Sequence, residues 1–211
     1  MIRERGSLVK SAAARFKPSA ISKGMNVKSC RIHIMGASGS GVTTLGRALA
    51  DRLALPHHDS DDYLWLPTAP PCGQLREIPQ RLRLMREMFL PRIDWVLSGA
   101  VASWGDELIP LFDLVVFLVT PRELRLERLR AREAVHFGTD AIAPGGWHHE
   151  ETEAFMEWAS HYEASDREGR NLVKHEAWVS RLPCPVVRVD GSRPLADLVE
   201  QLCGETQRLP G

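Results

Sequence analysis

The residues best placed to do chemistry gather at a glycine-rich turn. Cys30 to Leu53 reads CRIHIMGASGSGVTTLGRALADRL. Gly36 and Gly41 keep the spacing of a phosphate-cradling loop, G-x-x-x-x-G-K-[ST], and Thr43 follows them. Gly36, Gly39 and Gly41 allow backbone angles that side chains resist, and they let a ligand approach the main chain. The amides of Gly36, Ser38, Gly39, Ser40, Gly41, Val42, Thr43 and Thr44 then converge at the start of a helix. With the helix dipole they form an anion site that needs no cationic side chain. Thr43 is placed to give its hydroxyl to Mg²⁺, and Thr44 to contact a phosphate. The departure is Val42, which stands where the motif has lysine. A lysine there neutralises phosphate charge, so an arginine has to replace it if phosphate is to be transferred.

A second cluster is HHDSDD, His57 to Asp62. Asp59 or Asp61 suits a water-mediated Mg²⁺ partner or the base that takes a hydroxyl proton. Histidine with carboxylate also suits zinc or manganese. A third is the comb Arg122, Arg125, Arg128 and Arg132, of which the last three share one helical face. Interleaved Glu123, Glu127 and Glu133 would make the same comb a solvated, ion-paired surface. Tyr63, Trp65, Trp104 and Trp147 follow strand ends or lie in a loop, where a flat acceptor could stack. GWHHEE, Gly146 to Glu151, lacks the H-E-x-x-H spacing and reads as a helix start with acids in its first turn. The charged segment Trp158–Trp178 suggests no chemistry.

Two rival motifs compete for the turn. GSGVTT supplies two glycines of a dinucleotide fingerprint, with Asp59 or Asp61 near the distance of a ribose-binding acid. A hydrolase elbow G-x-S-x-G fails, because GASGS has Ser40 where the second glycine belongs.

The whole chain bounds these readings. It has 211 residues, 44% hydrophobic and 26% charged, as a one-domain globular protein would. No apolar run is long enough for a membrane helix. Residues 1–28 carry seven Lys/Arg against Glu4 alone. We expect this stretch to be a disordered basic extension, with Met25 a natural start, although a transit peptide has similar composition. The remainder is acidic overall, which argues against a nucleic-acid partner. Cys30, Cys72, Cys184 and Cys203 lack C-x-x-C spacing, so reduced thiols in a cytoplasmic protein fit best.

Elements must hold the clusters in place. Short apolar runs predict strands at Arg31–Met35, Leu55–His58, Trp95–Ser98, Leu114–Val119 and Val186–Val189. LVVFLV is continuous, as in a strand covered on both faces. Helical spacing appears at Val42–Leu53, Pro79–Leu90, Arg122–Val135, Glu150–Tyr162 and Leu195–Leu202. Strand alternating with helix predicts a parallel α/β sheet over a single domain, 29–211. Phe137–Gly146 reads as a flexible loop, and 133–150 suits a lid.

The phosphate loop, HHDSDDYLW, WVLSGA, DLVVFLVTPRELRLERLRARE and VVRVDG together resemble the adenylate-kinase-like group of P-loop small-molecule kinases. That group includes nucleoside monophosphate, shikimate and gluconate kinases. The resemblance implies a three-layer P-loop fold, with a five-stranded parallel sheet in order 2-3-1-4-5, flanking helices and a lid. It implies ATP and Mg²⁺ as cofactors, with Thr43 and Asp59 at the metal. Asp59 and Asp61 match the acidic pair that faces acceptor and metal. Gly99 matches a glycine close to the acceptor. Arg128 matches an arginine against the adenine, and Arg132 a lid arginine that reaches phosphate. Asp190 and Gly191 match a turn that borders the adenine. The expected activity is transfer of the ATP γ-phosphate to a nucleotide, nucleoside or hydroxylated metabolite. A nucleotide-binding protein without turnover and an NAD(P)-dependent oxidoreductase are the alternatives.

Overall fold

A computed structural model of the chain describes residues 30–68, 73–166 and 168–209. The expected basic extension and Cys72 lie outside the described residues. Five strands are formed: β1 (Cys30–Gly36), β2 (His57–Asp59), β3 (Asp94–Ser98), β4 (Leu114–Val119) and β5 (Val186–Asp190). All neighbours pair in parallel, in the order β2-β3-β1-β4-β5. This is the order that the kinase resemblance implied. A dinucleotide fold places β2 beside β1, whereas here β3 and β4 flank β1. The oxidoreductase alternative therefore loses its scaffold.

Helices follow the strands: α1 (Val42–Leu53), α2 (Ser60–Leu64), α3 (Ile78–Met88), α4 (Arg122–Phe137), α5 (Thr139–Ile142), α6 (His149–Ser160), α7 (Leu172–Val179) and α8 (Leu195–Gln207). Alternation along the strands divides the interior into two layers. Ile32, Ile34, Val96 and Val116 pack with Leu45 and Leu49 of α1 and Leu198 and Leu202 of α8. Met35, Leu97, Val115 and Phe117 pack on the other face with Leu82 and Met85 of α3 and Trp178 of α7. The continuous run of β4 is buried on both faces, and only Val119 at its end is exposed.

The stretch predicted as a flexible loop, Phe137–Gly146, is more ordered than its composition suggests. Gly138 (φ 95°) ends α4, and α5 follows directly. Gly146 N–H donates to Ala143 O at 2.8 Å and His148 N–H to Ala141 O at 3.0 Å. His149 Nδ1 then donates to Ile142 O at 2.9 Å, tying the turn to α6. Acids at Glu150 and Glu151 occupy the first turn of α6, as expected. No helix among the described residues is long and apolar enough to cross a membrane.

Candidate functional site

The glycine turn joins the end of β1 to the start of α1. Ser40 N–H donates to Ala37 O at 3.1 Å, and Gly39 and Gly41 take φ of 79° and 98°. A Cβ on Gly39 would stand 2.5 Å from Arg125 O, so only glycine lets α4 lie against the turn. The twelve-residue α1 begins with no side-chain cap and no acid in its first turn. Its first amides therefore remain available to an anion. Ser40 Oγ is buried in the turn with no hydrogen-bond partner. Val42 packs beside the apolar layer that holds Ile34 and Leu118, and brings no charge.

Thr43 Oγ1 donates to Asp59 Oδ2 at 2.7 Å. Asp59 Oδ1 accepts from Asp61 N–H at 3.0 Å and so caps α2. Both oxygens of Asp59 are thereby committed, and Thr43 with Asp59 presents hard oxygen donors of the kind Mg²⁺ takes. These residues fit the metal that the resemblance implied. Asp61, in the first turn of α2, has no such side-chain hydrogen bond among the described residues. Burial by surrounding protein and the Asp59 charge push its carboxyl up from the ordinary range, while Arg170 and Arg132 oppose them. Asp59 is thus fixed by two hydrogen bonds, whereas the charged form of Asp61 is disfavoured.

Both histidines beside these acids have neighbours within the protein. His57 Nε2 lies 2.9 Å from Ser98 Oγ. His58 Nδ1 lies 3.0 Å from the Tyr63 hydroxyl and its ring stacks on Phe89. Among the described residues no group of three or more His, Cys, Asp or Glu could hold a metal ion. Gly99 (φ 110°) lets Ser60 come close: Ala100 N–H donates to Ser60 Oγ at 2.9 Å. The end of β3 is thereby drawn onto the acidic pair.

The arginine comb divides into three roles. Arg125 is fully buried. It grips both oxygens of Glu163 at 2.5 and 2.7 Å and donates to Ser38 O at 3.2 Å. Arg128 spans the loop and the turn after β5, donating to Ser40 O at 3.2 Å and Gly191 O at 3.1 Å. Asp190 Oδ1 accepts from Ser192 N–H and Oγ–H, which fixes that turn. Arg132 is exposed, donates to Glu133 and lies over Phe155. It is close enough to bias Asp61 and Arg170 electrostatically.

The proposed aromatic platform is mostly committed elsewhere. Tyr63 is buried against His58, and Trp104 Nε1 donates to Ala100 O with Arg81 over its ring. Trp147 is 67% exposed. Trp65 is half-buried and forms an isolated antiparallel bridge with Leu75.

One residue escaped the sequence reading. Arg170 Nη2 donates to Ser38 Oγ at 3.3 Å across 132 positions of chain. Its guanidinium lies over Trp158, 5.5 Å from the ring centre. The segment assigned no chemistry thus reaches the loop. The only local signal is Asn171, whose side chain caps α7 by accepting from Lys174 N–H. Arg170 also lines a cleft of about 440 Å³ with Ala102, Ser103, Lys174, Trp178 and Arg181.

No family model matches the chain. It is 43% identical over 171 residues to the uncharacterized protein YqaC of Bacillus subtilis (strain 168), covering 81% of this chain and 94% of that one. The chain belongs to the YqaC family. Two solved structures share its fold. Shikimate kinase from Bacteroides thetaiotaomicron superposes with a TM-score of 0.55 at 16% identity, over 84% of this chain and 98% of that one. Shikimate kinase from Acinetobacter baumannii, solved with shikimate, gives 0.52 at 18% identity, over 87% and 97%. At such identity these likenesses establish the P-loop kinase fold, and the chemistry of the YqaC family has to be argued from its own residues.

Proposed function

We propose that this YqaC-family protein is a phosphotransferase that moves the γ-phosphate of MgATP to a hydroxyl of a small molecule. The observation that carries this reading is the 2.7 Å bond from Thr43 to Asp59 at the open start of α1. It joins a hard-oxygen metal site to a phosphate cradle, and a structural glycine turn has no need of either. Backbone amides from Gly36 to Thr44 hold the phosphates. Arg128, tied to the turn at Asp190 and Gly191, borders the nucleotide base, and Arg132 approaches the phosphates with the 133–150 lid. Mg²⁺, when bound at Thr43 and Asp59, neutralises phosphate charge. Asp61 accepts the acceptor's hydroxyl proton as its oxygen bonds to the γ-phosphorus. The bond from that phosphorus to the bridging oxygen breaks, and its electron pair leaves on ADP.

A hydroxyl acceptor is favoured over a phosphate acceptor by the fate of the remaining arginines. Arg76 donates to the Tyr63 and Trp65 carbonyls and Arg81 to the Arg76 carbonyl. Arg83 and Arg86 pair with Glu87 and Glu107. Each of the four already has a partner within the protein. Binding without turnover is the reading that Val42 favours, because the loop has lost its own cation.

Asp61→Asn separates the two. Burial and the Asp59 charge disfavour the Asp61 carboxylate, so an uncharged asparagine relieves that cost to the fold. The variant should melt slightly higher than wild type. Acceptor-dependent ADP release, measured over a panel of hydroxylated metabolites, should fall about 10²–10⁴-fold, as for loss of a general base. The wild-type rate should climb as pH rises through the elevated Asp61 pKa. No ADP release with any acceptor, alongside intact MgATP binding, would favour the non-catalytic reading.

A further inference from the structure

The loop lacks its lysine, and the cations around it differ in how far they are committed. Arg125 is locked to Glu163, and Arg132 is paired with Glu133. Arg128 is spent on two backbone carbonyls. Arg170 is different. Among the described residues it forms no ion pair, and the Ser38 hydroxyl takes one of its five N–H groups. It is half-buried, with its plane laid over Trp158. Burial depresses its pKa, Asp61 and Tyr162 pull it back, and Arg132 adds to the depression. A guanidinium held in such a place without a carboxylate is poised for an anion. Its position is also informative. It touches the phosphate loop on one side, senses Asp61 on another and lines the 440 Å³ cleft beyond β3 on a third. On the phosphotransferase reading, that is where a donor phosphate would meet a small acceptor.

We propose that Arg170 is the catalytic cation of this site, binding the γ-phosphate oxygens of MgATP and supplying from the α6–α7 connection the charge that Val42 cannot. The inference rests on the phosphotransferase reading above. The planar fork of arginine reaches two phosphate oxygens at once, which a lysine cannot do. Arg170 moves no proton and no electron pair in the step. It neutralises charge on the transferred group while the phosphorus changes partners. Val42 is then a tolerated apolar residue, because the loop itself no longer has to supply the cation.

Comparing MgATP with MgADP isolates the γ-phosphate. Calorimetry on the full chain should show wild type preferring MgATP. Arg170→Gln keeps a donor for Ser38 and loses the charge. It should bind MgATP about 10- to 100-fold more weakly, the worth of a charge-assisted hydrogen bond. Its MgADP affinity should stay within about twofold of wild type, since ADP lacks the group Arg170 meets. Val42→Lys combined with Arg170→Gln should recover most of the MgATP preference, which a merely structural arginine would not allow. Equal loss of both nucleotides without rescue, or no loss of either, would overturn the role of Arg170 and leave the phosphotransferase reading intact. A wild type that binds neither nucleotide would bring down both. If Arg170→Gln does not fold, Val42→Lys alone decides. A site that already holds its cation gains less than about twofold in MgATP affinity, and a gain of about tenfold or more contradicts the proposal.

Discussion

Acidification from neutral pH to pH 4 is expected to remove on the order of 6 kcal/mol of folding stability, from two histidines that never touch the phosphate loop. His33 of β1 is wholly buried and stacked on Phe112, with Nδ1 donating to Leu97 O at 3.0 Å and Nε2 unpartnered. His175 of α7 is 1% exposed, with Nδ1 against the Tyr162 hydroxyl at 2.8 Å and Nε2 also unpartnered. Burial depresses each to about 4 from an ordinary 6.5. His175 lowers His33 further, and Arg170 lowers His175 while Glu176 opposes it. Both are neutral in the fold and take a proton when it opens. Stability is therefore full above pH 6.5 and falls as pH drops from 6.5 towards 4. At about 1.36 kcal/mol per pH unit, each histidine contributes about 3 kcal/mol over that interval. A domain stable by about 5–15 kcal/mol is brought close to unfolding. Urea titrations at stepped pH check this, and His175→Gln should roughly halve the slope. Stability that stays level down to pH 5 would contradict it. Paired carboxylates such as Glu153 and Glu176 are depressed below the usual range, so their contribution is lost at still lower pH.

Arg125→Met should cost about 3 kcal/mol of stability and weaken nucleotide binding at the same time. The guanidinium is fully buried, whereas Glu163 is 39% exposed, so water softens part of the loss and the lower end of the range for broken buried pairs applies. Two backbone acceptors, Ser38 O and Ala159 O, also lose their donor. Ser38 belongs to the loop, so its release lets the cradle wander from the geometry that a phosphate needs. The double change Arg125→Met with Glu163→Met tells these effects apart. Replacing both charges should restore much of the stability, because no carboxylate is stranded. Nucleotide affinity should stay low, because Ser38 remains untethered. Recovery of both together would mean that Arg125 acts on binding only through global stability. Arg125→Lys is not a conservative change here, since one ammonium cannot span Glu163 and the loop.

These two predictions involve residues that the sequence valued differently. Arg125 was visible as one tooth of a comb, yet nothing local distinguished the buried tooth from Arg128 or Arg132. Only packing against α6 decides it. The turn and α1 were legible to the residue, because a glycine spacing and a 3.6-residue apolar repeat are local signals. The run LVVFLV gave β4 its limits for the same reason. β2 runs from His57 to Asp59 rather than from Leu55 to His58. Its own residues, His57, His58 and Asp59, are polar, and pairing with β3 fixes them rather than apolar patterning. α2 has five residues, too few for a period, and α7 hides its apolar side among charges. Arg170 was illegible in principle, since its partner lies 132 positions away. Glycine and proline make Phe137–Gly146 read as a loop, whereas the bonds that join α5 to α6 leave no local trace in the sequence. Asp59 and Asp61 are legible as a pair, whereas the bonds of Asp59 to Thr43 and to the start of α2 are not.

The most direct measurement is calorimetric titration of the full chain with MgATP, against NAD(P) and against ATP without metal, in wild type and Asp59→Asn. The account predicts micromolar to sub-millimolar binding of MgATP by wild type, no binding of NAD(P), and loss of the metal-dependent part in Asp59→Asn. Absence of MgATP binding, or binding that ignores both the metal and Asp59, would contradict it.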